Sequence, residues 1–354
     1  LAVVDQITPH YVIVKLASPA HNWFAGTFTN LPTDKAVTIG LSMAGNDTRG
    51  NAADVKKWVG LMPVMTYADP TQYETYEWFR KDAQGRWVSG DPFKQGEARF
   101  AGTGKTPEQA VIPKEVAAQF LSADGQYWQA WREVDTAEAV PGINVFRITQ
   151  RFARPTATVA MRVPYTYTYL QAFLAKLQAA KLPGVTVDEI GDTPEKRKLQ
   201  CIRVEDPTNG DPDTRFTVLT IAREHATEHT SSWVLQGMLT HLLSPAGATS
   251  RAKTVWLVVP IEDPDGSARS IFDRLTAAFR RPNDPATPPE VFAYARYLTD
   301  FVNAGRPLHV ALTLHNVEAN EGPHCFCPFI DVTNKATVIG VNRRVGETLK
   351  DAGY

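Results

Sequence analysis

The residues of this chain best suited to chemistry fall in one stretch, 216–243, which reads FTVLTIAREHATEHTSSWVLQGMLTHLL. An apolar run ends at Ile221, His225 and Glu228 follow in a short polar link, and an apolar-periodic segment begins after them. A histidine and a glutamate three apart on one turn can converge on a single ion, and imidazole and carboxylate are both good zinc ligands. The spacing alone is a weak signal, because eight histidines supply such a pair by chance and the plain reading is a polar helix start where Glu228 favours the macrodipole. A third partner strengthens it. The apolar segment HVALTLH ends in His315, again at the end of a strand pattern with polar residues after it. Two histidines and one glutamate from neighbouring strand ends make the donor set of a catalytic zinc that keeps a position for water. Between these segments, residues 255–274 read VWLVVPIEDPDGSARSIFDR: a buried strand, a Pro-Asp-Gly turn, then Arg274. By itself Arg274 reads as a solvated arginine; in a zinc cleft it would stabilise the oxyanion of a tetrahedral intermediate.

The elements that must position these groups follow from periodicity. From about residue 167 a helical stripe covers 169–180, with Leu170, Phe173, Leu174, Leu177 and Ala180 on one face. Strand patterns follow at 185–190, 199–204, 216–221 and 255–261, then 309–314 and 325–330, with helices at 232–243, 289–304 and 336–349. Continuously apolar strands alternating with helices predict an α/β layer whose largely parallel or mixed sheet is covered on both faces. Ligands of such sheets bind beyond the carboxyl ends of the strands, where His225, Glu228 and His315 fall.

The first 160 or so residues differ. Short alternating patterns at 11–16, 23–29, 36–43, 75–79, 87–89, 127–132, 144–152 and 156–163 read as half-buried antiparallel strands, with a hairpin turn at 82–85. The expected organisation is an N-terminal antiparallel β-sandwich over 1–160 and an α/β domain over 161–354, with the boundary near 154–165.

Taken together, these motifs resemble a known family. Arg223 and His225-x-x-Glu228 after a strand, followed by a helix opening Ser-Ser-Trp-Val, resemble the metal motif of carboxypeptidase A-type zinc carboxypeptidases. Val259-Pro260-x-x-Asp263-Pro264-Asp265-Gly266 resembles that family's strand ending in Asn-Pro-Asp-Gly, and Leu314-His315 resembles its third-ligand strand. Pro164-Tyr165-Thr166-Tyr167-Thr168-x-Leu170-Gln171 is similar to the junction of the cytosolic carboxypeptidase branch, which carries a β-sandwich before the catalytic domain. The resemblance implies an α/β/α mixed-sheet, carboxypeptidase-like zinc hydrolase. It implies one zinc ion on His225, Glu228 and His315, Arg274 polarising the scissile carbonyl, and hydrolysis of an amide by metal-activated water.

Two positions depart from the family pattern. The Asn-Arg pair that grips a substrate's C-terminal carboxylate falls on Asn283-Asp284, and a carboxylate at 284 would repel such a substrate. Facing the cleft, Asp284 would suit a ligand with an amine or hydroxyl; its plain reading is an Asn-Asp-Pro turn. The family's general base is a glutamate on a late strand. After His315 this chain offers Glu318 and Glu321, too close in sequence to match, and Glu347 in a helix. The expectation is a chain that lacks its C-terminal part; an inactive relative is the alternative.

Composition sets the remaining limits. The 354 residues carry 37 Lys+Arg against 38 Asp+Glu, a net charge of -1, which argues against nucleic acid as a general partner. No apolar run has the length of a membrane span. Cys201, Cys325 and Cys327 make no disulfide framework, and the last two read as small apolar strand residues. The chain starts at Leu1, which suggests a trimmed or processed N-terminus and leaves the compartment open between cytoplasmic and exported.

Three other readings compete. His225-Ala-Thr-Glu228-His229 matches the inverted H-x-x-E-H zinc-protease motif, in which His229 would be a ligand and Glu228 the base. A zinc amidohydrolase acting on a small acylated amine or amino acid shares the ligand chemistry. A non-enzymatic peptide- or sugar-binding role would use the tryptophans of the first half, such as Trp23, Trp58, Trp78, Trp87, Trp128 and Trp131, although aromatics in strands are usually core.

Overall fold

The structure is a computed structural model, and it describes residues 2–8, 11–16, 25–35, 37–42, 64–67, 77–81, 87–92, 128–130, 144–150, 152–160, 162–208, 215–269, 271, 274–275, 284–316 and 335–351. In the first half these form β1 (Ala2–Thr8), β2 (Tyr11–Leu16), β3 (Ala25–Phe28), β4 (Val37–Ser42), β5 (Val64–Thr66), β6 (Glu77–Lys81), β7 (Trp87–Pro92), β8 (Trp128–Ala130), β9 (Asn144–Gln150) and β10 (Ala157–Ala160). They make two five-stranded sheets, in the orders β1-β2-β4-β9-β8 and β3-β10-β5-β6-β7. The alternating segments thus form strands as expected, joined by β1 and β5, which the pattern did not single out. The antiparallel expectation fails at one pair: β2 and β4 run parallel, Tyr11 opposite Thr38. The reason is connectivity. The chain between them places β3 in the other sheet, and a crossover of that kind returns a strand in the same direction. The turn expected at 82–85 lies outside the described residues, but the β6 and β7 that it joins pair antiparallel, Phe79 opposite Ser89.

The second half is built around a third sheet. Its elements are α1 (Tyr167–Ala180), β11 (Val185–Asp192), β12 (Lys198–Val204), β13 (Phe216–Ala222), α2 (His229–Leu243), α3 (Ala248–Lys253), β14 (Thr254–Val259), α4 (Pro264–Arg269), α5 (Pro289–Asn303), β15 (Val310–Leu314) and α6 (Lys335–Asp351). The strand order is β11-β12-β14-β13-β15. The first two pairings are antiparallel; β14 with β13, and β13 with β15, are parallel, so the sheet is mixed. The strand expected at 325–330 lies outside the described residues.

Successive strand residues point to opposite faces, and both faces are covered. On one side Ile202, Val204 and Val258 pack with Leu170 and Leu174 of α1 and Leu235 and Leu239 of α2. On the other, Leu199, Cys201, Leu257 and Val259 pack with Ala293 and Tyr294 of α5. Helix α1 starts where Thr166 takes the Tyr169 N–H on its hydroxyl at 3.0 Å, and it ends at Lys181 in the left-handed region, φ 46°. The Pro-Asp-Gly segment, expected as a turn, is the short helix α4. Pro264 sits at its first position and the Asp263 carboxylate accepts the Gly266 N–H at 2.8 Å, which is N-cap chemistry.

Candidate metal centre

Strand β13 lies between two parallel partners, so its carboxyl end opens beside those of β14 and β15. The loop that leaves it turns at once. Arg223 has φ 67°, a conformation that costs a side-chain-bearing residue about 1–2 kcal/mol. Its side chain, fully buried, explains what holds the turn. The guanidinium donates from both Nε (2.6 Å) and Nη2 to the Ala226 carbonyl, from Nη1 to the Tyr165 carbonyl at 2.9 Å, and from Nη2 to Ser267 Oγ at 3.0 Å. One cation thereby ties the loop to the segment before α1 and to α4. Burial lowers the Arg223 pKa to about 9, against the pull of Glu228, Tyr165 and Asp263. Gly266 of α4 presses on the same loop: a Cβ there would lie 2.9 Å from that of Ala226 and 2.3 Å from Asp263 Oδ2, so only glycine fits.

This clamp brings the three sequence-predicted ligands together. His225 Nδ1 lies 3.0 Å from Glu228 Oε1, and His315, just past the end of β15, places Nδ1 3.0 Å from Glu228 Oε2. The imidazole rings are 4.9 Å apart, and one donor atom from each of the three residues lies within 4.8 Å of the others. Tetrahedral zinc with bonds of about 2.0–2.1 Å separates its donors by about 3.3 Å, so two imidazole nitrogens and a carboxylate at these distances fit that ion. Glu228 is buried as the residue preceding α2, where the helix dipole favours a carboxylate. Burial pushes its carboxyl up, but the hydrogen bonds with His225 and His315 outweigh this and hold it below the ordinary value. His315 is driven up to about 10, first by Glu224 and then by Glu228. A metal ion arriving there displaces a proton.

His229 is not part of the group. It opens α2, three residues before the expected start at 232, and is buried with Nδ1 accepting the Tyr165 N–H at 2.9 Å. Burial, and then the nearby Arg223 charge, hold its pKa well below the usual value. The H-x-x-E-H reading needs His229 on the ion, and the ring instead caps the backbone beside α1.

Arg274 is engaged elsewhere than expected. Its Nε lies 2.9 Å from Asp263 Oδ1, and its Nη2 lies 2.5 Å from both Asp263 Oδ1 and Glu290 Oε1; both carboxylates have fully buried side chains. Burial lowers the Arg274 pKa, but these two partners raise it further. Asn283 lies outside the described residues. Asp284 is exposed, its carboxylate accepting the Ala286 N–H at 2.8 Å and its carbonyl the Thr287 N–H at 2.9 Å, the geometry of a turn. Glu318 and Glu321 lie outside the described residues, and Glu347 is exposed on α6.

Sequence reasoning passed over three acidic groups. Glu224 Oε2 stands 3.3 Å from His315 Nε2. Glu262, past the end of β14, is buried and raised to about 8, by burial first and then by Glu224 and Asp263. Glu290, in the first turn of α5, pairs with Arg274. Glu224 had a signal in its position beside His225 at a strand end; Glu290 had Pro289 before it, a helix-start pair.

Part of the chain is similar to known proteins. Residues 170–304, which span β13, the loop with His225 and Glu228, and α5, match the model of the zinc carboxypeptidase family, peptidase M14. Among curated proteins, this chain is 26% identical over 175 residues to cytosolic carboxypeptidase 6 of Caenorhabditis elegans, covering 46% of this chain and 37% of that protein. It is 32% identical over 106 residues to cytosolic carboxypeptidase 6 of Homo sapiens, covering 29% and 21%. The match thus spans little more than a third of the first relative's length and about a fifth of the second's. The fold is that of a metallo-carboxypeptidase from Burkholderia cenocepacia (TM-score 0.60, 16% identity, 90% of this chain and 68% of that one). A metallo-carboxypeptidase from Pseudomonas aeruginosa also aligns (TM-score 0.56, 18% identity, 91% and 68%).

Proposed function

We propose that this chain is the zinc-binding part of a metallocarboxypeptidase-like hydrolase that cleaves a peptide amide bond. The observation that carries this reading is the convergence of His225, Glu228 and His315 within 4.8 Å at the ends of the parallel strands β13 and β15. The match of residues 170–304 to the zinc carboxypeptidase family supports it. We read the two N-terminal sheets as a β-sandwich over 1–160 that precedes this domain over 161–354.

In this proposal His225, Glu228 and His315 hold one zinc ion, which when bound supplies a Lewis acid and an activated water. The protein's own contribution is arrangement. Glu228, shared between the two imidazoles, sets their separation and keeps its negative charge. Arg223 fixes the loop through the Ala226 carbonyl, so the ligands are held before any ion arrives. Arg274 has Nε and Nη2 committed to Asp263 and Glu290, which leaves Nη1 as the group that would donate to a substrate carbonyl.

A second reading rests on Asp284. The position that would carry the carboxylate-gripping arginine holds a carboxylate turned into its own exposed loop. A small acylated amine or amino acid, bound without a C-terminal clamp, suits that feature, and the reaction class becomes deacylation. The experiment is a hydrolysis panel of C-terminally free peptides, amidated peptides and N-acyl amino acids, run with the zinc-loaded protein and with His225→Ala. Release of C-terminal residues that disappears in His225→Ala is expected. Turnover confined to N-acyl amino acids would establish the second reading. Zinc bound at one equivalent with no turnover of any panel member would leave a binding relative, not an enzyme.

A further inference from the structure

We infer that Glu224 is a positioning residue for the metal centre: it takes the Nε2–H of His315 and thereby commits Nδ1 of that ring to the ion. The inference rests on the zinc-ligand reading above and adds a residue to it. The observation is that His315 stands between two carboxylates, Glu228 Oε2 at 3.0 Å from Nδ1 and Glu224 Oε2 at 3.3 Å from Nε2. A neutral imidazole has one donor and one acceptor nitrogen, so a carboxylate on one side selects the tautomer that offers its lone pair on the other. Carboxylates placed behind metal-bound histidines commonly do this, and removing them typically costs 10–100-fold in metal affinity.

The connectivity gives Glu224 its reach. It follows Arg223, whose left-handed backbone and buried guanidinium fix the start of the loop. Strand β15 pairs directly with β13, Ala222 opposite Leu314, so the residues just past the two strand ends face each other. Glu224 comes two residues after Ala222 and His315 one after Leu314, and the side chains meet across that gap. Both are partly buried, their side chains 25% and 28% exposed, so the contact is only partly screened by water. The loop therefore contributes one ligand with His225, a second with Glu228, and the orientation of the third, which arrives from a different strand.

The test uses the full chain loaded with one equivalent of zinc and measures metal release to excess chelator, in the wild type and in Glu224→Ala, Glu224→Gln and His315→Ala. Release rates are read because they do not depend on proton competition for the empty site. Glu224→Ala should release zinc about 10–100-fold faster, and Glu224→Gln, which keeps an acceptor oxygen, should fall between it and wild type. The His315 Nε2–H resonance of the zinc-loaded protein, assigned by its loss in His315→Ala, should move upfield in Glu224→Ala and less in Glu224→Gln. An unchanged release rate and resonance in Glu224→Ala, with zinc lost in His315→Ala, would overturn the inference while leaving the ligand set intact. Zinc lost from Glu224→Ala as completely as from His315→Ala would make Glu224 a ligand and overturn the positioning role. Equal effects of Gln and Ala would overturn the hydrogen bond. Full zinc retention by His315→Ala would defeat the ligand assignment itself.

Discussion

Two charge clusters lie a few residues apart beyond the ends of β13 and β14, and they are built on opposite principles. In the first, one carboxylate, Glu228, is shared by two imidazoles, so electron pairs converge on one point. In the second, one guanidinium, Arg274, is shared by two buried carboxylates, Asp263 and Glu290, so the cation is part of the chain. On the function proposed above, the first arrangement takes its cation from outside, whereas the second already holds its own. Both are anchored to one loop, since Gly266 packs on Ala226 and its N–H is held by Asp263. The lesson is that residue type alone does not separate a ligand site from a structural ion pair; which charge the chain itself provides does.

Substitutions should separate the two clusters. The largest effect is expected from Glu228→Ala, which removes the shared donor and should abolish stoichiometric zinc binding, measured by metal analysis after dialysis. A loss no greater than the 10–100-fold typical of outer-shell partners would show that the first cluster is not built around this carboxylate. Next, Arg274→Met strands two buried carboxylates and should cost about 3–5 kcal/mol in denaturant unfolding, with zinc affinity nearly unchanged. Zinc loss in the folded variant would merge the clusters into one site.

A smaller, pH-dependent effect is expected at Glu262, which sits beside both. Its pKa in the folded protein, about 8, lies above the ordinary value of 4.5, because burial penalises the ionised form. The folded state therefore holds the proton more tightly than the unfolded chain. This stabilisation is fully present below about pH 4.5 and is lost as the pH rises through 8. In metal-free protein, Glu262→Gln should match wild type near pH 4 and become progressively more stable than it as the pH rises to 9. Parallel stability curves would refute the buried-carboxyl reading. The smallest effect should come from His229→Leu, which leaves the Tyr165 N–H without its acceptor and should cost about 1–3 kcal/mol while retaining zinc. Zinc loss there would revive the H-x-x-E-H reading.

Much of the site was legible because strand patterns place their last residues. Ile221 and Leu314 end apolar runs, so His225, Glu228 and His315 had to fall at neighbouring tips once the sheet formed. The helix at 289–304 and the strands at 199–204 and 216–221 appear within a residue or two of where periodicity put them. What the sequence hid was set by pairing across distance. Nothing local in Asp263 or Glu290 announces that both will close on Arg274. The contact of Glu224 with His315 exists only because β15 pairs with β13 and not with β14. The start of α2 at His229 was missed for a related reason: Ala226 and Thr227 carry no helix signal, and the turn before it is fixed by Arg223 from the side. In the first half, the parallel pairing of β2 with β4 depends on which sheet the intervening β3 joins, which alternation does not encode.

The place of β13 has one more consequence. A strand flanked by parallel neighbours on both edges cannot fray by itself, so amide protons in Leu219 and Thr220 should exchange with solvent only through global unfolding. The loop hanging from that strand inherits the same protection at its root. The metal centre would then persist or vanish together with the whole domain.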